Sequence, residues 1–136
     1  WPDMIKAGSR PSELVQNIDY APTFLDIAKL KIPIDVQGRS LVNLFQNRDK
    51  SWRKSLYYSY YELGEHAVPQ HFGVRTAHHK LMYFPASKEW NLFDLQKDPN
   101  ELKSVHSEPA YAKNLDDLKK EFYRLRTYFD APDFSE

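Results

Sequence analysis

The chain has 136 residues, and its 19 basic and 19 acidic side chains give a formal net charge of zero. A chain of this length can bury about two-thirds of its unfolded surface, which is enough for a core. Balanced charge gives no reason to expect a nucleic-acid partner or an anionic membrane surface. No run approaches the roughly 18 apolar residues of a membrane-spanning helix, so no membrane partner is expected.

Two further features bear on chemistry and on the origin of the chain. The absence of cysteine excludes disulfides, cysteine nucleophiles and thiolate metal sites within these residues. The sequence opens on Trp1 instead of Met and has no basic-then-apolar signal pattern. We therefore interpret the chain as a piece of a longer protein, whose compartment these residues do not reveal.

The first elements in chain order are a possible short strand over 13–16 and a helix after it. Asp19 is predicted to cap this helix, because its side chain can accept a free backbone N–H. The helix should end near Leu30, since Pro33 cannot continue it. A second, short helix is predicted after Ser40, and the polar stretch 47–50 is predicted to be a boundary.

From residue 56 the apolar pattern changes from a helical period to a strand period. Strands are predicted at both ends of the stretch 57–76, around a polar loop, and again over 79–84 and 90–95. The turn after Thr76 is so short that the strands on either side of it must pair antiparallel. A type I turn is predicted at 98–101, where Pro99 presets the φ angle.

The last element is a long helix after Ser107, which is predicted to be its N-cap. Five apolar side chains recur at spacings of four, three, four and three residues, which places them on one helical face. They are Tyr111, Leu115, Leu118, Phe122 and Leu125. These elements together predict an α+β fold, in which a helix packs on one face of a small antiparallel sheet.

The loop between the first two strands carries the candidate chemistry. His66 and His71 flank Pro69, and Glu65 adjoins the first histidine. A metal site is disfavoured, because Pro69 argues against the helix that a His-Glu-x-x-His site needs. An acid–base pair is plausible chemistry, but histidines with ordinary hydrogen bonds are the favoured interpretation. The sequence contains no Gly-rich phosphate loop, no paired carboxylates at a suitable spacing and no Gly-x-Ser-x-Gly motif.

Two neighbouring groups admit a binding role and a structural one. Tyr57, Tyr58, Tyr60 and Tyr61 could form a sugar-binding wall, although aromatic strand residues more often belong to a core. Arg75 lies about 13 Å along the strand from His71, at roughly 3.3 Å per residue. We expect Arg75 to pair with a carboxylate on a neighbouring strand.

Five stretches of the chain form a recognisable series, in order and with matching gaps. They are 1–9, 17–28, 37–41, 65–76 with Lys80-Leu81 after it, and 90–101. These stretches resemble phrases of the type I sulfatases, and within that family they resemble the glycan sulfatases that act on N-acetylglucosamine-6-sulfate or N-sulfoglucosamine. One departure is Lys29-Leu30-Lys31, which replaces the family's Ala-Gly-Ile and so lacks the glycine that ends the helix.

The resemblance implies a fold and a domain organisation. Residues 1–50 would be the tail of a large α/β domain like that of alkaline phosphatase. Residues 51–136 would be the small C-terminal subdomain, with an antiparallel sheet of about four strands and a packed helix. The family uses a formylglycine nucleophile and a calcium ion, whose motifs lie upstream of the residues that match this chain. The chain alone is therefore expected to be inactive, with no catalytic residue, no metal ligand and no cofactor of its own.

The resemblance also implies a function. The parent protein would hydrolyse sulfate esters or N-sulfates of glycans, and this segment would supply pocket wall and specificity through Glu65, His66 and His71. Its partner would be a sulfated carbohydrate, and the excised segment could self-associate through surface that the large domain covers. The parent is expected to be periplasmic, secreted or lysosomal. The alternatives are a phosphodiesterase or phosphonate hydrolase of the same superfamily, or a free-standing carbohydrate-binding module.

Overall fold

A computed structural model describes residues 1–46, 51–62 and 67–133. The chain divides into two compact units, Trp1–Lys54 and Ser55–Glu136. None of the described helices is both long and apolar enough to cross a membrane. The first unit contains helices α1 (Tyr20–Ile27) and α2 (Val42–Phe45), and the second contains strands β1 (Ser55–Tyr60), β2 (His71–Thr76), β3 (His79–Phe84) and β4 (Glu89–Asp94) and helix α3 (Ala112–Tyr128).

The first unit is built around the carboxylate of Asp19, which is fully buried. The guanidinium of Arg53 donates two hydrogen bonds to it, at 2.6 and 2.7 Å. The backbone N–H groups of Arg39 and Gln16 donate two more, at 2.9 and 2.8 Å. Asp19 does occupy the N-cap position of α1, but its side chain accepts no hydrogen bond from that helix. The prediction that the Asp19 side chain caps α1 is therefore wrong, because donors outside that helix occupy its carboxylate oxygens.

The segment 37–41 passes close to the start of α1, and small or hydroxyl side chains make this possible. A Cβ atom at Gly38 would lie 2.0 Å from the carbonyl oxygen of Ile18, so only glycine fits there. The Thr23 hydroxyl donates to the carbonyl of Asp19 at 2.6 Å and accepts the N–H of Leu41 at 2.9 Å. These contacts join α1 to the chain before α2.

Trp52 completes the first unit near its end. Its indole N–H donates to the carbonyl of Leu14 at 2.8 Å. The guanidinium groups of Arg39 and Arg53 lie 4.4 and 4.7 Å from the centre of its ring, where cation–π attraction favours them. Residues 52 and 53 are thus held in the first unit immediately before β1 begins.

Two predicted details of the first unit differ from the structure, and the short helix predicted after Ser40 is present. Residues 13–16 form no strand. Helix α1 ends at Ile27 instead of near Leu30, because the N–H groups of Lys29 and Leu30 turn back to the carbonyls of Asp26 and Leu25, at 3.1 and 2.9 Å. Helix α2 begins at Val42, whose N–H donates to the Ser40 hydroxyl at 3.3 Å. The boundary predicted at 47–50 lies outside the described residues.

The second unit is a four-stranded antiparallel sheet in the order β1-β2-β3-β4, with α3 packed on one face. The predicted antiparallel pairing is confirmed, β3 has the predicted bounds, and β2 ends at Thr76 as predicted. Strand β4 begins and ends one residue earlier than predicted. Alternate side chains of the strands meet the buried face of α3. The shared core contains Tyr57, Phe72, Val74, Leu81, Leu92, Leu118, Phe122 and Leu125.

The connection from β4 to α3 is held by polar contacts. The Tyr111 hydroxyl donates to the Asp94 carboxylate at 2.8 Å, and the Lys97 ammonium donates to that hydroxyl at 2.8 Å. The predicted turn at 98–101 is present, because the N–H of Glu101 donates to the carbonyl of Asp98 at 3.1 Å. Ser107 does not cap the helix, since a 3-10 turn over Pro109–Tyr111 precedes α3.

We expect Asp19→Asn to lower the free energy of unfolding by about 3–5 kcal/mol, because it leaves the Arg53 charge buried and unpaired. The Arg53 side chain is only 13% exposed. Urea unfolding followed by circular dichroism measures the effect, and Asp35→Asn, at an exposed carboxylate of the same unit, is the matched control. Equal midpoints for the two variants would contradict the assigned role.

The same pair of variants tests a pH dependence. Burial alone would raise the pKa of Asp19, but the hydrogen bonds from Arg53, Arg39 and Gln16 outweigh it and hold the pKa below its ordinary value. The stabilisation is therefore complete above the unfolded pKa of about 3.9 and is lost as the pH falls through the lowered folded value. The stability difference between wild type and Asp19→Asn should shrink as the solution is acidified below about pH 4.

Lys29→Gly should raise the free energy of unfolding by about 0.5–1 kcal/mol, because Lys29 has a left-handed backbone. Its φ is +58°, a value that glycine adopts without a steric penalty. Lys31→Gly, at an exposed position outside α1, is the control and should be neutral or slightly destabilising, since glycine there only loosens the unfolded chain. A lower stability for Lys29→Gly than for the control would refute this explanation of the helix end.

Candidate functional site

The candidate site lies on the sheet face opposite α3. Because side chains alternate along each strand, the residues next to the core positions point to this second face. Tyr60 of β1 pairs with His71 of β2, and Tyr58 pairs with Gly73. Phe72 pairs with Tyr83 of β3, which puts Phe84 beside His71.

Three aromatic rings surround the imidazole of His71. We call His71, Tyr58, Tyr60 and Phe84 the His71 cluster. Tyr60 stacks on the imidazole, with ring centres 5.3 Å apart and planes 21° apart. Phe84 lies 5.5 Å away at 36°. Tyr58 meets it edge-on at 5.9 Å and 72°. The ring is partly buried, so aromatic contacts orient it while part of it stays accessible.

The described part of the loop before β2 is tied to both strands. The Nδ1 atom of His71 lies 2.9 Å from the carbonyl oxygen of Pro69. The side-chain amide of Gln70 donates to the carbonyl of Tyr61 at 2.6 Å. The loop residues next to His71 therefore have fixed partners.

Gly73 allows Tyr58 to lie flat across β2. A Cβ atom at Gly73 would approach the Tyr58 ring to 2.4 Å. The Tyr58 hydroxyl is buried and has no hydrogen-bond partner among the described residues. Burial, followed by the negative charge of Glu101, raises the pKa of Tyr58 well above its ordinary value. Tyr58 is therefore a neutral ring that supports His71.

The expected carboxylate partner of Arg75 is not found on the neighbouring strands. Leu56 lies opposite it on β1 and Lys80 lies opposite it on β3. Lys80 instead forms an ion pair with Glu101 at 2.5 Å. Among the described residues, Arg75 is an exposed cation that faces another cation across the sheet.

The four tyrosines of the predicted wall are divided between two environments. Tyr58 and Tyr60 lie in the His71 cluster, whereas Tyr57 is 8% exposed in the core under α3. Tyr61 is half exposed and meets Phe72 edge-on at 5.3 Å. Only Tyr57 of the four is thus a core residue, as strand alternation alone could have indicated.

Of the three predicted substrate-binding residues, the structure describes only His71. Glu65 and His66 lie outside the described residues. Sequence reasoning missed Phe84 and the Pro69 carbonyl, which both contact His71. The short turn after Thr76 carried a signal for Phe84, because it fixes the register of β2 and β3.

The described residues do not fit a calcium site. No group of three or more His, Asp or Glu side chains lies close enough within residues 1–46, 51–62 and 67–133. The two buried carboxylates are already occupied: Asp19 by Arg53 and backbone N–H groups, and Asp94 by Tyr111.

Comparison with known proteins identifies relatives over nearly the whole chain. The family described as N-sulphoglucosamine sulphohydrolase, C-terminal, matches residues 1–128. N-acetylglucosamine-6-O-sulfatase of Bacteroides thetaiotaomicron is 42% identical over 123 residues, which are 87% of this chain and 22% of the relative. An arylsulfatase of Clostridium perfringens is 34% identical over 85% of this chain and 23% of its own length.

Solved structures agree with these relatives. A protein solved in complex with its substrate D-glucosamine-2-N,6-O-disulfate matches with a TM-score of 0.93 and 38% identity, over 98% of this chain and 28% of that protein. A phosphonate monoester hydrolase from Silicibacter pomeroyi matches with a TM-score of 0.72 and 26% identity, over 85% of this chain and 26% of its own. The chain thus spans between about a fifth and three-tenths of the length of these relatives.

These matches confirm the family resemblance and the α+β fold, a four-stranded antiparallel sheet with a C-terminal helix. They also confirm its place in the superfamily of alkaline phosphatase and do not favour the alternative functions. Sulfatases generally use calcium and a formylglycine nucleophile. The chain belongs to the family of N-sulphoglucosamine sulphohydrolase C-terminal domains, and its homologues include glycan sulfatases.

Proposed function

We propose that the protein containing this chain hydrolyses sulfate esters or N-sulfates of glycans, and that this segment forms pocket wall and sets substrate specificity. The observation that carries the proposal is His71, whose accessible ring is held in a rigid aromatic cluster at the end of β2. A rigid sheet with functional groups at its rim is a common architecture for recognition. The relative that is 42% identical is an N-acetylglucosamine-6-O-sulfatase, which supports a sulfated amino sugar as the ligand.

In this proposal the chain supplies binding and the rest of the protein supplies bond breaking. A formylglycine and a calcium ion would provide the nucleophile and the charge stabilisation of the sulfate oxygens. The chain has no cysteine, and the buried carboxylates of Asp19 and Asp94 have other partners, so we assign it no catalytic residue, metal ligand or cofactor. We expect the chain alone to be inactive.

The domain organisation and the compartment are parts of the same proposal. The family resemblance suggests residues 1–50 as the tail of a large α/β domain and 51–136 as the small C-terminal subdomain. We propose to move this boundary to near Lys54, because Trp52 and Arg53 contact the first unit. We place the intact protein in the periplasm, outside the cell or in the lysosome.

We propose a glycan sulfate, and not a phosphonate ester, as the substrate because the chain is more similar in sequence to sulfatases than to the phosphonate monoester hydrolase. Two sulfatases are 42% and 34% identical to the chain, and the phosphonate monoester hydrolase is 26% identical. Parallel assays of the intact protein on sulfate and phosphonate esters decide between them. Faster turnover of the phosphonate ester would overturn the assignment.

His71→Ala in the intact protein should lower kcat/KM on N-acetylglucosamine-6-sulfate by about tenfold to a hundredfold, because a contact made to the sugar is lost. The free energy of unfolding, measured by thermal denaturation, should change by less than about 1 kcal/mol, since the ring is only partly buried. His78→Ala, at an exposed turn residue of the same domain, is the matched control.

Loss of folding without a selective kinetic effect would refute the role of His71. Glu65 and His66 are proposed to contact the same sugar. His66→Ala and Glu65→Gln should therefore lower kcat/KM in the same assay and leave the unfolding temperature nearly unchanged.

The isolated chain is proposed to self-associate through α1, with a second copy as the occupant of its apolar face. Tyr20, Phe24 and Ile27 recur at helical spacing and are 55, 67 and 37% exposed. Contiguous exposed apolar surface of this kind favours association. Light scattering should report a dimer or larger species for the wild type and a smaller one for Phe24→Ser.

The matched control for this prediction is Leu102→Ser, which removes an apolar side chain that is 84% exposed from the other unit. It should associate as the wild type does. A monodisperse wild-type monomer would contradict the proposal.

A further inference from the structure

We propose that His71 recognises the sugar and not the sulfate, by presenting its Nε2 atom as a hydrogen-bond acceptor, and that Tyr60 positions the ring for this contact. The inference rests on the proposed function and specifies which part of the substrate meets this domain. A sulfate monoester offers its oxygens to donors, and a sugar offers hydroxyl and amide protons to acceptors. An imidazole nitrogen that carries no proton can therefore bind the sugar but not the sulfate.

The Pro69 carbonyl fixes the position of the proton. It lies 2.9 Å from Nδ1 of His71, and a carbonyl oxygen can only accept a hydrogen bond. Nδ1 therefore carries the proton, and in the neutral imidazole Nε2 keeps its lone pair. No described carboxylate forms an ion pair with the ring, and Nε2 has no hydrogen-bond partner among the described residues. Among the described residues, Nε2 is thus an unoccupied acceptor.

Tyr60 fixes the orientation of the ring. It stacks on the imidazole at 5.3 Å, with only 21° between the planes. Its hydroxyl donates to Glu62 at 2.7 Å, and this hydrogen bond, more than burial, raises the pKa of Tyr60. The strand register places Tyr60 directly opposite His71. A stacked ring on one side and a fixed Nδ1 contact leave the imidazole one favoured rotamer.

Two substrates separate sugar recognition from sulfate recognition. The intact protein is assayed on N-acetylglucosamine-6-sulfate and on 4-nitrophenyl sulfate, which shares the sulfate and lacks the sugar. Tyr60→Leu should lower kcat/KM on the sugar by about fivefold to tenfold, mainly through KM, and leave the aryl sulfate within about twofold. Tyr60→Phe keeps the ring and should stay within about twofold on both substrates.

Matched variants exclude a general structural effect. Tyr128→Leu, at an exposed tyrosine of α3, should leave both substrates unchanged. His71→Gln keeps an acceptor near the position of Nε2 and should retain more sugar activity than His71→Leu, with equal activity on the aryl sulfate. An equal loss on both substrates for Tyr60→Leu or His71→Leu would show a sulfate contact and overturn the inference.

Nitrogen-15 NMR of the 136-residue chain tests the geometry without any activity. In mildly alkaline buffer the spectrum of His71 should show a protonated Nδ1 and an unprotonated Nε2, and Tyr60→Leu should give a mixture of the two tautomers. A proton on Nε2 in the wild type would overturn the inference. If the wild-type protein hydrolyses neither sulfate ester, both the proposed function and sugar recognition by His71 are wrong. The NMR result is independent of that outcome and still decides whether Tyr60 positions the ring.

Discussion

The buried carboxylate of Asp19 is the interaction on which the first unit depends. A charge removed from water is tolerated only when donors replace the lost hydration. Arg53 and the N–H groups of Arg39 and Gln16 supply four such donors from three separate parts of the chain. The network therefore fixes three segments at once, and the sulfatase-like stretches 17–28 and 37–41 are two sides of one contact.

The aromatic run of β1 serves the second unit in two ways. Strand alternation sends Tyr57 into the core under α3 and sends Tyr58 and Tyr60 to the face that carries His71. Gly73 leaves space for the Tyr58 ring to lie across the neighbouring strand. One strand thus anchors the helix and the His71 cluster together, so the position of the imidazole is coupled to the packing of the sheet.

Sequence patterns predicted local structure well and long-range polar contacts poorly. The bounds of β2 and β3 follow from alternation and from the short turn between them, and the buried face of α3 follows from its helical period. The end of α1 was missed because Lys29 adopts a backbone conformation that favours glycine. Arg39 and Arg53 were missed as partners of Asp19 because they lie 20 and 34 residues away, and no local pattern indicates them. For the candidate site, the sequence indicated His71 but not the rings that hold it.

We propose that this domain recognises the sugar and that the rest of the protein binds and cleaves the sulfate, and this separation has a physical basis. Charge attraction to a sulfate falls off slowly with distance, so it holds any sulfated molecule and discriminates weakly between sugars. A neutral hydrogen bond requires the correct atom at about 3 Å and a favourable angle. A site built around such a bond rejects a ligand that leaves its polar group unpaired. The ring of His71, stacked on Tyr60 and bonded to Pro69, has the rigidity that this discrimination requires.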